Sequence, residues 1–216
     1  MQQDIGNISN IIFDLGGVIL NIDPQRTVNE MQKLGIDNFE AVYAHLKQTH
    51  TLDELEKGLL TQREFLDQIK RDSDRNLTDE QILKAWNALL LDFPEKYIRL
   101  LQYLKASPRF RTFLLSNTNS IHYQTYTRTL QEDFSIKGLE ELFDKAYFSH
   151  ELHMRKPDAE IYEYVIKDSE LDPRVTLFID DSEVNIEAAR KLDIKAFHLR
   201  RGNNLIDLFP EHSRAR

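Results

Sequence analysis

Cysteine is absent from the 216 residues. Disulfides and thiolate metal sites are therefore excluded, and the chain is compatible with a reducing compartment. No apolar run approaches a membrane span, and Asp14 interrupts the one apolar stretch near the N-terminus. An excess of positive charge is missing too. With 28 Lys and Arg against 36 Asp and Glu the formal charge is −8, which argues against nucleic acid as the main partner, because phosphate backbones select basic surfaces. Internal repeats and low-complexity segments are also lacking. These absences predict a soluble, cytoplasmic protein. If an acidic chain of this kind binds a phosphate ester, it needs a local cationic centre, which a metal ion and a lysine would provide.

A hydrophobic fraction of 41% supports a real core, and the length allows one substantial domain or a core with a small insertion. The chain is organised around residues 11–23. Ile11-Ile12-Phe13 ends in Asp14, Gly16 and Gly17 follow, and Val18-Ile19-Leu20 resumes the apolar pattern. The first run has the length and β-branched content of a buried strand, and strands buried on both faces mark parallel sheets. Asp14 then falls at the carboxyl end of that strand, where open α/β sheets bind ligands. The two glycines permit a tight turn and close approach to a bound group; an ordinary turn is the plainer alternative.

Residues 1–7 are polar and expected to be loose. Pro24 cannot continue a central strand, and from Arg26 to about Leu91 the periodicity is helical. Val28, Met31 and Leu34 share one face, and Phe39, Val42, Tyr43 and Leu46 another. Thr61 with Glu64 reads as a capping box, and Thr78 opens a further helix carrying Ile82, Leu83, Trp86, Leu89 and Leu90. Dense charge over residues 70–74 suits a solvated loop. A helix follows Phe93-Pro94. Strands are expected over 110–115, 145–149, 175–179 and 194–199. Helices are expected after Asn119, over 157–167 with Pro157 near the start, and over 184–192. This alternation predicts an α/β fold. A doubly wound, Rossmann-like parallel sheet would comprise residues 1–23 and 93–216, with 24–92 inserted as a small helical cap.

In such a sheet four polar clusters point to one edge: Asp14, Ser116-Asn117, Arg155-Lys156-Pro157-Asp158 and Asp180-Asp181. Carboxylates there suit magnesium, a hydroxyl and backbone amides can hold phosphate oxygens, and a lysine can neutralise charge during phosphoryl transfer. Each cluster also has a structural reading. Ser116 to Asn119 resembles a capped helix start, and residues 155–157 a solvated loop. Asp181 could cap the helix that begins near Glu183, although adjacent buried carboxylates call for a compensating cation. Asp23 could be a cap hinge or a substrate contact, although an Asp before a proline suits a turn. His45, His50, Arg63, Trp86 and His122 could touch a substrate, with surface or core roles as the plainer reading.

Taken together, these phrases resemble the haloacid dehalogenase superfamily, which consists mostly of phosphatases. Asp14-Leu15-Gly16-Gly17-Val18 is similar to its first motif, in the form of the subgroup that includes α-D-glucose-1-phosphate phosphatases. Leu114 to Asn117, Arg155 to Asp158 and Phe178 to Asn185 look like its second, third and fourth motifs, in the family's order. Glu56-Lys57-Gly58 followed by Phe65 is similar to a phrase of its helical caps. The resemblance implies that Asp14 is nucleophile and metal ligand, and that the Gly16 carbonyl and Asp181 complete the protein's ligands to Mg2+. It implies that Ser116 and the Asn117 amide hold the phosphoryl group and that Lys156 balances charge. Asp180 would orient Lys156 or a metal-bound water, and Asn185 the fourth-motif loop, unless Asn185 simply faces solvent. Gly16 departs from the family pattern, which usually has an acid–base aspartate at that place.

The expected function is magnesium-dependent hydrolysis of a small phosphomonoester, such as a sugar 1-phosphate, through an aspartyl phosphate. The expected partner is that small molecule, without nucleic acid or membrane, and the expected state is monomer or homodimer. A metal-independent haloacid dehalogenase is the rival on the same scaffold, and the adjacent Asp180 and Asp181 count against it. A non-catalytic phosphate-ester binder is a third reading, motivated by Gly16.

Overall fold

The structure, a computed structural model, describes residues 6–73 and 75–210. The first five residues of the polar start, and Asp74 in the charged stretch, lie outside the described residues. Five strands form one parallel sheet in the order β3-β2-β1-β4-β5. They are β1 (Asn10–Phe13), β2 (Arg111–Ser116), β3 (Lys145–Phe148), β4 (Thr176–Asp180) and β5 (Lys195–His198). Helices α1 (Pro24–Lys33), α2 (Phe39–Gln48), α3 (Thr51–Glu56), α4 (Gln62–Ser73) and α5 (Asp79–Trp86) lie between β1 and β2, and α6 (Glu95–Ala106) follows them. α7 (Ser120–Phe134) precedes β3; α8 (Ser149–Leu152) and α9 (Ala159–Asp168) precede β4; α10 (Glu183–Arg190) precedes β5.

The register places Phe13 beside both Leu114 and Ile179, so β1 is central and buried on both faces. Alternate strand residues point to opposite faces. Ile11 and Phe13 accordingly join Leu114, Leu177 and Ile179 in a cluster with Leu101 of α6 and Leu130 of α7. Ile12 joins Phe113, Leu115 and Phe178 on the other face with Val165 of α9 and Ile186 of α10. Helices thus cover both faces, as the alternating pattern predicts.

The helices between β1 and β2 enclose a third cluster, with Met31, Phe39, Leu46, Phe65, Ile82 and Trp86 at its centre and Ile121 joining from α7. Their starts follow local chemistry. Asp23 caps α1, its Oδ1 accepting from the Gln25 amide at 3.1 Å, so the turn-forming reading of Asp23 holds. Thr61 and Glu64 exchange the bonds of a capping box, as do Thr78 and Gln81. The chain crosses between the two parts twice, and the crossings pair antiparallel. The Asp23 amide donates to Leu89 at 2.9 Å, the Leu91 amide to Asn21 at 3.0 Å.

Several local expectations are corrected. α3 has no separate sign in the sequence, because its six residues are too few to show a period. Residues 70–73 continue α4 instead of forming a loop, with Lys70 and Arg71 in the last turn, where cations complement the exposed carbonyls. Pro157 stands outside α9, after a cis bond from Lys156, and Asp158 is the helix's N-cap residue. Ser182, not Asp181, holds that position in α10. Among the described residues no helix is long and apolar enough to cross a membrane.

Candidate active site

The carboxyl ends of β1, β2 and β4 bring Asp14, Ser116, Asp180 and Asp181 to one edge of the sheet, and the loop after α8 adds Lys156. The Lys156 side chain is 1% exposed. It donates to Asp14 Oδ1 at 2.6 Å and to Asp180 Oδ2 at 2.7 Å. Its backbone is fixed from the neighbouring strand end. Asn117 Nδ2 donates to the Lys156 carbonyl at 2.8 Å, and the Lys156 amide donates to Asn117 Oδ1 at 2.9 Å. Asn117 therefore holds the lysine loop with its side chain, which frees only its backbone amide for a ligand. Ser116, 2% exposed, ends β2 beside it.

Asp180 is anchored on every side. Its Oδ1 accepts from the Ser182 amide at 2.8 Å, and the Asn185 amide group reaches both carboxylate oxygens at 3.1 Å. Asn185 thus faces inward, and its solvent-facing reading falls. Burial and the carboxylates of Asp180 and Asp181 push the Asp14 carboxyl up to about 7 against the pull of Lys156. Burial would pull Lys156 down, but Asp14 and Asp180 more than offset it and hold it above its ordinary value.

Oxygens of Asp14, Asp180 and Asp181 all lie within 4.8 Å of one another. Three carboxylates against one ammonium leave negative charge in excess, and hard oxygen donors of this kind fit magnesium. Protein donors already occupy Asp180, so Asp14 and Asp181 are the carboxylates left for an ion. Burial and Asp180 raise Asp181 as well, in keeping with an uncompensated pair. Gly17 explains how Asp181 comes so close. Its φ is +74°, and a Cβ there would stand 2.3 Å from Asp181 Oδ2, so a side chain is excluded both by conformation and by space.

Beside Asn117 and Thr118, a cavity of about 300 Å³ opens under the inserted helices, with Tyr43, Glu56, Trp86 and His122 in its walls. Arg155, next to Lys156 in sequence, reaches across to α3. Its Nε and Nη2 meet Glu56 Oε2 at 2.9 and 2.8 Å, and its Nη1 meets Asp53 Oδ1 at 2.6 Å. Nothing in the sequence marked Glu56 or Asp53 as partners of the third motif, since they lie about a hundred residues away. Trp86 and His122 stack at 5.4 Å and 15°. Asn119 Oδ1 accepts from the Ile121 and His122 amides, so its Nδ2 donates to His122 Nδ1 at 3.1 Å, and the proton of the neutral ring sits on Nε2. Burial pushes His122 down to about 4 and keeps it neutral. Of the other candidates, Arg63 pairs with Asp67 and Asp79 at the surface, and His45 and His50 are exposed.

Known proteins resemble this chain over most of its length. A family model for haloacid dehalogenase-like hydrolases matches residues 8–193. The D-ribitol-5-phosphate phosphatase of Bacteroides thetaiotaomicron is 35% identical over 198 residues, covering 90% of this chain and 93% of that protein. A HAD family enzyme of the same organism, solved in complex with magnesium and inorganic phosphate, superposes with a TM-score of 0.83 at 36% identity, over 94% of this chain and 99% of that one. A predicted HAD-like family hydrolase of Porphyromonas gingivalis gives 0.82 at 30% identity, over 96% and 97%. The L-2-haloacid dehalogenase of Xanthobacter autotrophicus, at 14% identity and a TM-score of 0.60 over 89% of this chain and 77% of that one, shares the fold alone. The chain belongs to the haloacid dehalogenase-like hydrolase family.

Proposed function

We propose that this protein is a magnesium-dependent phosphomonoester hydrolase acting on a small sugar or sugar-alcohol phosphate. The observation that carries the reading is the buried Lys156 ammonium between Asp14 and Asp180, with Asp181 left free beside them. Asp14, fixed at the sheet edge, attacks phosphorus in line with the leaving alcohol and takes the phosphoryl group; water then hydrolyses the aspartyl phosphate. Ser116 and the Asn117 amide hold the equatorial oxygens. Lys156 neutralises charge that builds on them, and Asp180 with Asn185 keeps its ammonium aimed at Asp14. Asp14, Asp181 and the Gly16 carbonyl would hold magnesium, which when bound offsets the repulsion between carboxylate and phosphate. Residues 24–92 act as a cap that covers the reacting groups and keeps bulk water out.

Two observations bear on the leaving group. The relative from Bacteroides is named for a sugar-alcohol 5-phosphate, which favours a primary alcohol phosphate. Gly16 supplies no proton to a departing alkoxide, which favours a better leaving group such as a sugar 1-phosphate. A phosphate-release assay on ribitol 5-phosphate, glucose 1-phosphate and 4-nitrophenyl phosphate, with magnesium and with chelator, tests the reading. Turnover that needs magnesium supports it; equal turnover in chelator contradicts it.

A further inference from the structure

We infer that Glu56 selects the substrate by its leaving group, accepting hydrogen bonds from the hydroxyls of a neutral polyhydroxylated chain and rejecting phosphate esters that carry a second anionic group. The inference rests on the phosphatase reading above and assigns the cap residue that reads the alcohol. Glu56 ends α3 and lines the cavity that adjoins Asn117 and Thr118. An alcohol leaving the phosphoryl group held at Ser116 has this space beside it.

The carboxylate is held in an unusual way. Arg155 could grip both oxygens with its two parallel N–H groups, as arginine commonly does. Instead Nε and Nη2 converge on Oε2, while Nη1 turns to Asp53. Among the described residues no hydrogen bond reaches Oε1. Arg155 thus holds one oxygen, and the other is an acceptor with no protein donor on a residue that lines the cavity. Burial raises Glu56, and Arg155 works against that shift.

Beside the apolar side chains of Ile22, Val28, Phe39, Leu52 and Leu55, other parts of the wall bear on the same ligand. Trp86 and His122 present a stacked pair of rings, a surface for the C–H groups of a carbon chain. His122 is neutral, and Arg155 is already paired with Glu56 and Asp53, so among the described residues the wall offers no free cation to a second phosphate or a carboxylate. A polyol presents hydroxyl donors to Oε1 without charge repulsion. A phosphorylated acid of equal length brings two like charges together in a partly desolvated space.

Two measurements test the inference. The first uses the unaltered protein with magnesium and compares erythritol 4-phosphate with 4-phosphoerythronate, which differ in one terminal group. A kcat/KM preference for the polyol of about tenfold to a hundredfold is expected, the range of one hydrogen bond to a charged group; equal values overturn the inference. The second compares Glu56→Gln with Asp53→Asn, reading the ratio of kcat/KM between erythritol 4-phosphate and 4-nitrophenyl phosphate, which has no hydroxyl. Glu56→Gln should lower that ratio about tenfold or more, whereas Asp53→Asn, which loosens Arg155 without touching the cavity, should leave it in place. If both variants slow both substrates alike, Glu56 only ties the cap to the core and the inference fails. No magnesium-dependent turnover of any ester would overturn the phosphatase reading and this inference together.

Discussion

Single residues decide what the site can do, and the two glycines after Asp14 show how differently neighbours can act. Gly17 lies at positive φ with Asp181 Oδ2 where a Cβ would go, so Gly17→Ala should displace the Asp181 carboxylate. Magnesium affinity measured by calorimetry should fall by tenfold or more, about 1.4 kcal/mol; unchanged affinity would show that Asp181 does not hold the ion. Gly16 has no such constraint. Its φ is outside the left-handed region, and the three nearest atoms to a Cβ there all belong to the Ile22 side chain, Cδ1 closest at 3.1 Å. Gly16→Asp is therefore a fair test of the missing acid. Across aryl phosphates of graded leaving-group pKa, the wild-type chemical step should depend steeply on the leaving group, and the variant should flatten that dependence. A flat wild-type series, with phosphate release shown not to limit, would mean that another group already supplies the proton. In the sequence the pair reads as one turn signal, and only the positions of Asp181 and Ile22 separate the two.

Among the elements, α3 and the α8–α9 loop join the inserted helices to the sheet. Arg155 binds Asp53 and Glu56, His153 Nδ1 lies 2.8 Å from the Lys57 carbonyl, and Lys57 pairs with Asp158 at 3.3 Å. Gly58 lets the chains meet so closely: at φ +65° a Cβ would stand 2.2 Å from the His150 carbonyl oxygen. Gly58→Ala should hold the two parts away from each other, raising KM and lowering kcat together in steady-state assays. Wild-type kinetics from that variant would remove this contact from the account. The sheet elements were legible in sequence, because buried parallel strands are short β-branched or aromatic runs that end in polar residues, and the structure moves their ends by about one residue. The four polar clusters were legible for the same reason, since each follows such a run or lies just beyond it. α3 was not, having only Leu52 and Leu55 to show a face. The Arg155–Glu56 pair joins residues 99 apart, and the side chain of Asn117 serves the Lys156 backbone where the phrase alone suggested a cap or a phosphate contact. Partners of that kind are set by tertiary packing, which leaves no local signal.

At the scale of the molecule, two hydrophobic clusters flank the sheet and a third fills the inserted helices, and the charged groups meet where these parts join. Burying Asp14 there has a cost that depends on pH. Its folded value of about 7 lies above the ordinary 3.8, so between those values the folded protein binds more protons than the unfolded chain, and this group's contribution to stability declines as pH rises from about 4 to 7. An ion that needs the carboxylate ionised competes with that proton. The gain in Tm on adding magnesium should therefore widen from pH 5 to pH 7 in thermal unfolding scans; a gain that is constant or shrinks would separate Asp14 from the ion. If Asp14 itself takes the phosphoryl group, the mass of the peptide that bears it will show the adduct. Wild-type protein turning over a phosphate ester with magnesium, quenched in acid and digested, should carry a phosphoryl group on Asp14. The same group found on a different residue would contradict the account.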